Sequence, residues 1–336
     1  MYSRRAFVDI TLAGVNITAD LDPDTTSFSY TDNSGEDEKD FIDEISLTIQ
    51  NRTKKWMFDW FPQKGDIITA KIITHDWLGD LDCGEFVVDD IDYSGYPLVM
   101  NLKALSIPMS VDFSDNKKSD TWNKATLSEI VQSVGGKNGI PVEYDANYNP
   151  VIEFVSQTKE SDKNFLHKEL KKYGLTLKLF SNKIVVYDMS DSEKESPTLT
   201  ITENDILSFA AHTTIANTSY SSADVKYTDK SGELLTYTKE VENDSNSEDK
   251  KYTHNVQVRS VEEAERVATS VLREKNMTET TFNFNMPGDP RFISGMTYDV
   301  SGFGRFDGVY LIDKATHSLQ GGYTVDITSH KVMAYD

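Results

Sequence analysis

Both ends of this chain are built from short runs in which apolar and polar residues alternate. That period of two fits half-buried strands and not amphipathic helices. Ala6 to Leu12 alternates, Gly14 offers a turn, and Val15 to Ile17 follows. Phe28 to Tyr30, Ile45 to Ile49, Ile67 to Ile73, Gly84 to Val88 and Leu98 to Leu102 continue the series, with Gly, Asp, Asn and Pro between them. Short strands at this spacing predict a sandwich or barrel over residues 1–110. Thr31 to Asp40 reads as a polar, acidic excursion. The pattern returns in residues 198–336, at Leu199–Ile201, Ser222–Tyr227, Leu234–Thr238, Thr253–Val258, Thr280–Phe284, Thr297–Val300, Val309–Ile312 and Tyr323–Thr328. A second barrel is expected there, with Glu240 to Lys251 as a charged, solvated loop.

Residues 111–197 change period. Leu127, Ile130, Val131 and Val134 fall on one helical face, which Gly135-Gly136 is expected to end. Ile140 to Tyr144 reads as a strand. Ser161 caps a second helix, striped by Phe165, Leu166, Leu170 and Tyr173 up to Gly174. Leu175–Phe180 and Lys183–Tyr187 form a hairpin turning at Ser181-Asn182, and Asp188 to Pro197 has linker composition. One helix interrupts the last segment. Ser260 with Glu263 makes a capping box, and Ala264, Val267, Ala268, Val271 and Leu272 give its stripe. The expected fold is mainly β, with a small α+β insert between two β-barrel domains.

Net charge is −21 over 336 residues, divided as −11, −2 and −8 among the three segments. So acidic a chain repels DNA phosphates and anionic membranes, so neither nucleic acid nor membrane is an expected partner. Cys83 is the lone cysteine, which excludes an intramolecular disulfide and a Cys-based zinc cage. The N-terminus turns charged again at Asp9, and no stretch approaches the roughly 18 apolar residues of a membrane helix. Synthesis and residence in a cytoplasm are expected.

The motifs offer little chemistry. Asp20, Asp22 and Asp24 open like a calcium loop, but Thr25 and Thr31 stand where Gly and a bidentate Glu are needed. Asp89, Asp90 and Asp92 suit paired-carboxylate hydrolysis, but they read as a strand end beside Ser94-Gly95. Gly302-Phe-Gly304 precedes Arg305-Phe306 and no helix start, so a hairpin turn explains it. His75, His167, His212, His254, His317 and His330 show no pair at helical spacing. Acidic neighbours Asp80, Asp82 and Glu85 keep Cys83 a thiol. No catalytic residue, cofactor or metal is expected. Trp56, Phe58, Trp60 and Phe61, with Pro62 and Gly65, form the densest aromatic cluster. A sugar platform would expose Trp56 and Trp60, whereas a helical turn plugging the first barrel would bury them, as aromatics favour.

Arg4 to Ile10, Gly14-Val-Asn-Ile-Thr18, Phe28 to Asn33 and Trp56-x-x-x-Trp60-Phe-Pro62-x-x-Gly65 resemble the opening of late control D family proteins of phages and tailocins. Gly302 to His317, with Gly321-Gly322-Tyr323, is similar to that family's closing barrel. The resemblance spans nearly the whole chain and marks Trp56, Trp60, Pro62, Gly65, Gly302, Gly304, Tyr310, His317, Gly322 and Tyr323 as signature residues. It implies a structural baseplate hub and no enzyme: a homotrimer with two tube-like barrels per chain, giving six in a ring between a six-fold tail tube and a three-fold spike. The implied partners are the tube or its initiator, a separate spike protein (no repetitive extension precedes Asp336), and wedge and tape-measure proteins. The implied location is the bacterial cytoplasm during assembly, then the tail of a virion or tailocin. The alternatives are a tail-tip cell-wall hydrolase acting through Asp90 or Asp92, and a carbohydrate-binding module using Trp56 and Trp60.

Overall fold

Burial on alternate residues turns these runs into a sheet. Phe28 and Tyr30, then Ile45, Leu47 and Ile49, then Ile68, Ala70 and Ile72, and Met100, Leu102 and Ala104 are all buried at i, i+2 spacing. They close on one another as a single core. The structure is a computed structural model describing residues 6–333, except 22–23, 36–41, 75–77, 108–110, 229–231, 242–249, 257 and 259. Arg4, Arg5, Asp22 and His75, with half of the Thr31–Asp40 segment and most of the Glu240–Lys251 segment, lie outside the described residues.

The first segment holds β1 (Phe7–Leu12), β2 (Val15–Asn16), α1 (Thr18–Leu21), β3 (Thr25–Asn33), β4 (Glu44–Gln50), β5 (Ile67–Ile73), β6 (Leu81–Ser94) and β7 (Val99–Leu105). The middle holds α2 (Val111–Ser114), β8 (Lys118–Thr126), α3 (Leu127–Asn138), β9 (Val142–Asp145), β10 (Val151–Glu160), α4 (Asp162–Lys172), β11 (Thr176–Phe180), β12 (Lys183–Tyr187) and α5 (Met189–Glu193). The last holds β13 (Thr200–Ile201), β14 (Ser208–Thr213), β15 (Ser222–Thr228), β16 (Leu234–Glu240), β17 (Lys251–His254), α6 (Val261–Asn276), β18 (Thr280–Pro287), β19 (Thr297–Val300), β20 (Gly308–Leu319) and β21 (Tyr323–Lys331).

The chain is mainly β, and its two ends join into one sheet of thirteen strands among the described residues. The order runs β14-β18-β21-β20-β3-β4-β7-β6-β5-β1-β2, with β19 and β13 carried off β20. The join is antiparallel β20 on β3, from Lys314 opposite Asn33 to Leu319 opposite Phe28. A second core belongs to the C-terminal strands, around Phe282, Phe284, Tyr298, Tyr310, Ile312 and Ile327. Along β20 the buried face changes phase, from Tyr310 and Ile312 to Ala315 and His317. The register shift between Ile312 and Lys314 causes it, because one extra residue flips every later side chain.

Helix α6, which the sequence places among the strands of the last segment, packs largely against the middle one. Its stripe, Ala264, Val267, Ala268 and Val271, lies in a third core with α3, α4 and the β11–β12 hairpin. The helix covers the separate sheet β16-β15-β17. Sequence order put α6 with the last segment, but its apolar face is complementary to the middle one. Only half of its expected capping box forms. Ser260 accepts from the Glu263 N–H, while the Glu263 carboxylate turns to the Tyr173 hydroxyl, 2.9 Å away.

Three further expectations are revised. Gly135-Gly136 does not end α3, which runs on to Gly139 at φ +68°. A Cβ on Gly135 would sit 2.3 Å from Val142 Cγ2 and 2.8 Å from the Ile140 carbonyl, so this glycine lets β9 approach the helix. Asp188 to Pro197 is no solvated linker: it contains α5, whose Met189 is buried and whose Glu193 is ion-paired. Asp89, Asp90 and Asp92 lie within β6, which runs on to Ser94; Asp90 and Asp92 stand opposite Lys103 and Asn101 of β7, and Asp89 falls at the register shift between Val88 and Asp90. Strands β8, β10 and β14 went unread: β14 is exposed on both faces, β10 lacks a regular alternation, and β8 carries polar Lys118 and Asp120 at half-buried positions.

Gly135→Ala should cost about 1–3 kcal/mol of unfolding free energy through overpacking. Gly136→Ala, with nothing within 4 Å of its new methyl, should be neutral or stabilising by about 0.5–1 kcal/mol. Urea denaturation of the two variants distinguishes a packing glycine from a terminating pair, for which both changes would be harmful.

Candidate functional site at the junction of three segments

The three segments of the chain meet at one buried, charged cluster. Lys178 of β11 reaches out of the middle segment, with only 15% of its side chain exposed. Its ammonium ion-pairs with Asp32 of β3 and, at 3.3 Å, with Asp43 just before β4. It also donates to Ser294 Oγ of the C-terminal segment at 3.2 Å. Asp32 in turn accepts from the Ser294 N–H (2.8 Å) and hydroxyl (2.7 Å), and Asp43 accepts from the Asn33 N–H at 2.8 Å. One buried cation thus ties all three segments. Burial pushes the Asp43 carboxyl up to about 7 against the pull of Lys178. Burial also depresses the Lys178 ammonium, but the two carboxylates outweigh it and its pKa ends above the ordinary lysine value.

Beside this cluster lies the β3–β20 seam. His317 and Tyr30 sit opposite each other in register, with rings stacked at 6.0 Å. His317 Nε2 lies 3.0 Å from the Phe292 carbonyl, which can only accept, so Nε2 carries the proton. Nδ1 therefore accepts from the Tyr323 hydroxyl at 2.8 Å. A neutral ring satisfied at both nitrogens and sealed from water resists a second proton, and burial lowers its pKa to about 4. Tyr323 contributes to both β cores.

A second clamp holds α6. Arg266 and Arg273 stand seven residues apart on one helical face. Arg266 donates to the Tyr173 carbonyl and to Asp188, both at 2.6 Å. Arg273 donates to Glu193 at 2.8 Å. The same Glu193 oxygen lies 3.2 Å from His330 Nε2, while His330 Nδ1 faces Asp313 at 2.7 Å. Burial alone would raise Glu193, but the His330 hydrogen bond and the Arg273 charge bring it down to about 2.

Of the ten signature residues, His317 and Tyr323 meet at the seam, and Tyr310 lies buried in the C-terminal core. Gly302 (φ +96°) and Gly304 (φ +68°) form the turn between β19 and β20, and Gly322 lies in the exposed β20–β21 turn. Trp56 is buried in the first core, on a 3-10 turn at Lys55–Met57. Trp60 packs edge-on against it at 5.5 Å but stays 38% exposed, with Phe58 at 70%. Pro62 is buried, and Gly65 turns at φ +90° with its N–H on the Val88 carbonyl. Cys83 is buried, and burial first, then Asp82, raises its thiol. Among the described residues no group of three or more His, Cys, Asp or Glu could hold a metal. Sequence reasoning missed Asp32, Asp43, Lys178, Ser294, Arg273 and Glu193. Lys178 alternates with leucines and so reads as an ordinary outward-facing strand residue.

The family profile described as phage tail baseplate hub (GPD) matches residues 107–323, well over half of the chain. The chain belongs to the phage tail baseplate hub family. A probable baseplate hub protein of Escherichia phage 186 is 24% identical over 206 residues, covering 58% of this chain and 49% of the relative. The hub chain thus spans about half the length of the curated relatives it matches. The solved tail protein from Neisseria meningitidis MC58 superposes with a TM-score of 0.73 at 12% identity, covering 97% of this chain and 96% of its own. The 43 kDa tail protein of prophage MuSo2 from Shewanella oneidensis gives 0.71 at 13% identity, covering 98% and 100%. These structures share the fold over the whole hub chain, including the first segment that the profile leaves unmatched.

Lys178→Met leaves two carboxylates buried without their cation and should destabilise the hub by about 3–5 kcal/mol. Adding Asp32→Asn and Asp43→Asn should recover part of that loss in denaturant titration. The histidine gives a pH test. Native His317 stays neutral down to about 4, while the unfolded ring protonates near 6.5, so stability present above pH 6.5 is lost as pH falls toward 4. Asp43 acts oppositely between about 4 and 7, because the native carboxyl holds its proton longer. Melting curves across this window should show a shallower acid loss for His317→Gln and a steeper one for Asp43→Asn.

Proposed function

We propose that the chain is the structural hub of a contractile tail baseplate, three copies forming a ring in which each supplies two β-units. The observation that carries this reading is the union of two separately cored β-units, edge to edge, within one chain of the baseplate hub family. Six such units from three chains would match a six-fold tail tube on one side and a three-fold spike on the other. We also propose the division behind it: tube-like β-domains from residues 1–110 and 198–336 about an α+β middle at 111–197, with residues 222–277 packed onto that middle. The open sheet ends in β2 and β14, where Val15, Leu207 and Phe209 are exposed. A head-to-tail contact between such ends closes into a ring. Buried Trp56 supports a structural role for the aromatic cluster over a sugar platform. Asp90 and Asp92, on a strand surface facing Lys103 and Asn101, lend a hydrolase no cleft.

Light scattering on the eluting hub should give three times the 37.9 kDa chain mass. Leu207→Asp with Val15→Asp should convert it to monomer that keeps the circular dichroism spectrum of the folded chain and whose melting temperature no longer depends on protein concentration. Particles of one or two chains at every concentration would sink the ring.

A further inference from the structure

The two ends of the large sheet differ in what they leave open. At the β2 end both backbone groups of Ile10 are taken, its carbonyl by the Ile17 N–H at 2.9 Å and its N–H by Thr18 Oγ1 at 2.8 Å. Strand β2 is two residues long, so this end offers little edge to another strand. At the other end, among the described residues, β14 pairs only with β18 and shows six residues of open edge. Leu207 and Phe209 present apolar surface there, and Glu203 and Asp205 are exposed just ahead of them. From Glu195 to Val225 the chain holds no lysine or arginine. Phe303, on which Phe209 packs at 5.0 Å, is followed by one base, Arg305, and one acid, Asp307.

The β4–β5 loop flanks the closed end. Its Gly65, with Ile67, lines a cleft of about 490 Å³ shared with Ala13 and Gly14 of the β1–β2 turn. Residues 51–65 carry four basic side chains and one acid, Asp59. Lys55 is engaged, paired with Asp24 at 3.4 Å and lying over the rings of Trp56 and Trp60. Arg52, Lys54 and Lys64 are exposed, and none of them meets a carboxylate among the described residues. Asp66, which follows the loop, accepts from the Gln63 N–H at 2.8 Å. Phe58, Trp60 and Phe61 are exposed between these bases. Two β14 ends in contact would set Glu203 and Asp205 against their own copies, and two β2 ends would set base against base. Unlike ends are the favoured contact, and both belong to this chain.

We propose that the β4–β5 loop of one copy packs across the open β14 margin of the next. Phe58 and Trp60 would cover Leu207 and Phe209, and Arg52 and Lys64 would face Glu203 and Asp205. The apolar contact supplies affinity, and the charges decide which end meets which. This inference rests on the ring proposed above and names the contact that closes it.

The test is the protein concentration at which the ring falls apart, read by mass photometry. Arg52→Glu with Lys64→Glu should raise that concentration about tenfold or more, and so should Glu203→Lys with Asp205→Asn. A chain carrying all four changes should recover most of the loss, because the signs are then exchanged across the contact. All four positions are exposed, and an unchanged circular dichroism spectrum verifies that each variant is folded. Raised salt should weaken the wild-type ring, a readout that needs no substitution. Charge reversals without effect, four changes no better than either pair, or a wild-type ring indifferent to salt would overturn this contact. If Leu207→Asp with Val15→Asp still dissociates the particle in that case, the ring stands and only its proposed contact falls. A wild-type chain that forms no trimer at any concentration would overturn the ring and the contact together.

Discussion

The Lys178 ammonium sits where three parts of the chain converge, and its surroundings explain why they stay in register. Two carboxylates from the first segment and a serine from the last converge on a cation carried by the middle one. A charge so placed is costly to strand, so the three segments are coupled by the penalty of separating them more than by attraction alone. Neighbouring contacts are mostly polar and directional. The Tyr187 hydroxyl donates to the Ser34 carbonyl, the Ser181 N–H to Ser106 Oγ, and the Glu85 N–H to Ser181 Oγ. Polar contacts of this kind fix orientation, because each hydrogen bond is made only at one distance and angle.

The second constraint is the shared sheet. Because β3 and β20 exchange backbone hydrogen bonds, the two β cores cannot rotate independently without breaking a ladder six residues long. His317, neutral and sealed between Tyr30, Tyr323 and Phe292, fills the seam without introducing a charge. The α6 arginines then bind a helix from the last segment onto the middle one. The Glu193–His330 contact returns that unit to β21, an interior strand of the large sheet. These contacts tie the two β cores and the middle segment to one another at several separate points.

Much of the fold was legible along the chain. The strands that bury one face, such as β4 and β5, announced themselves by alternation, and α4 by its cap and stripe. The signature residues at the seam were visible as a motif, His317 and Tyr323 among them, but their pairing was not. The charged clusters were invisible. Asp32, Lys178, Arg273 and Glu193 look like any solvent-facing residues, because burial of a charge is decided by a partner distant in sequence. Asp32 and Ser294, which share hydrogen bonds, lie 262 positions apart.

By itself, the sequence determined the class of each segment, the absence of a conventional catalytic motif, and the acidity that disfavours nucleic acid. Those follow from periodicity, residue chemistry and charge, which are local or additive properties. Only the tertiary structure decided that the two ends share one sheet, that α6 belongs to the middle, and that a lysine joins all three segments. Strand register, helix docking and ion pairing depend on surfaces brought together across hundreds of residues, and no local pattern encodes which surfaces those will be.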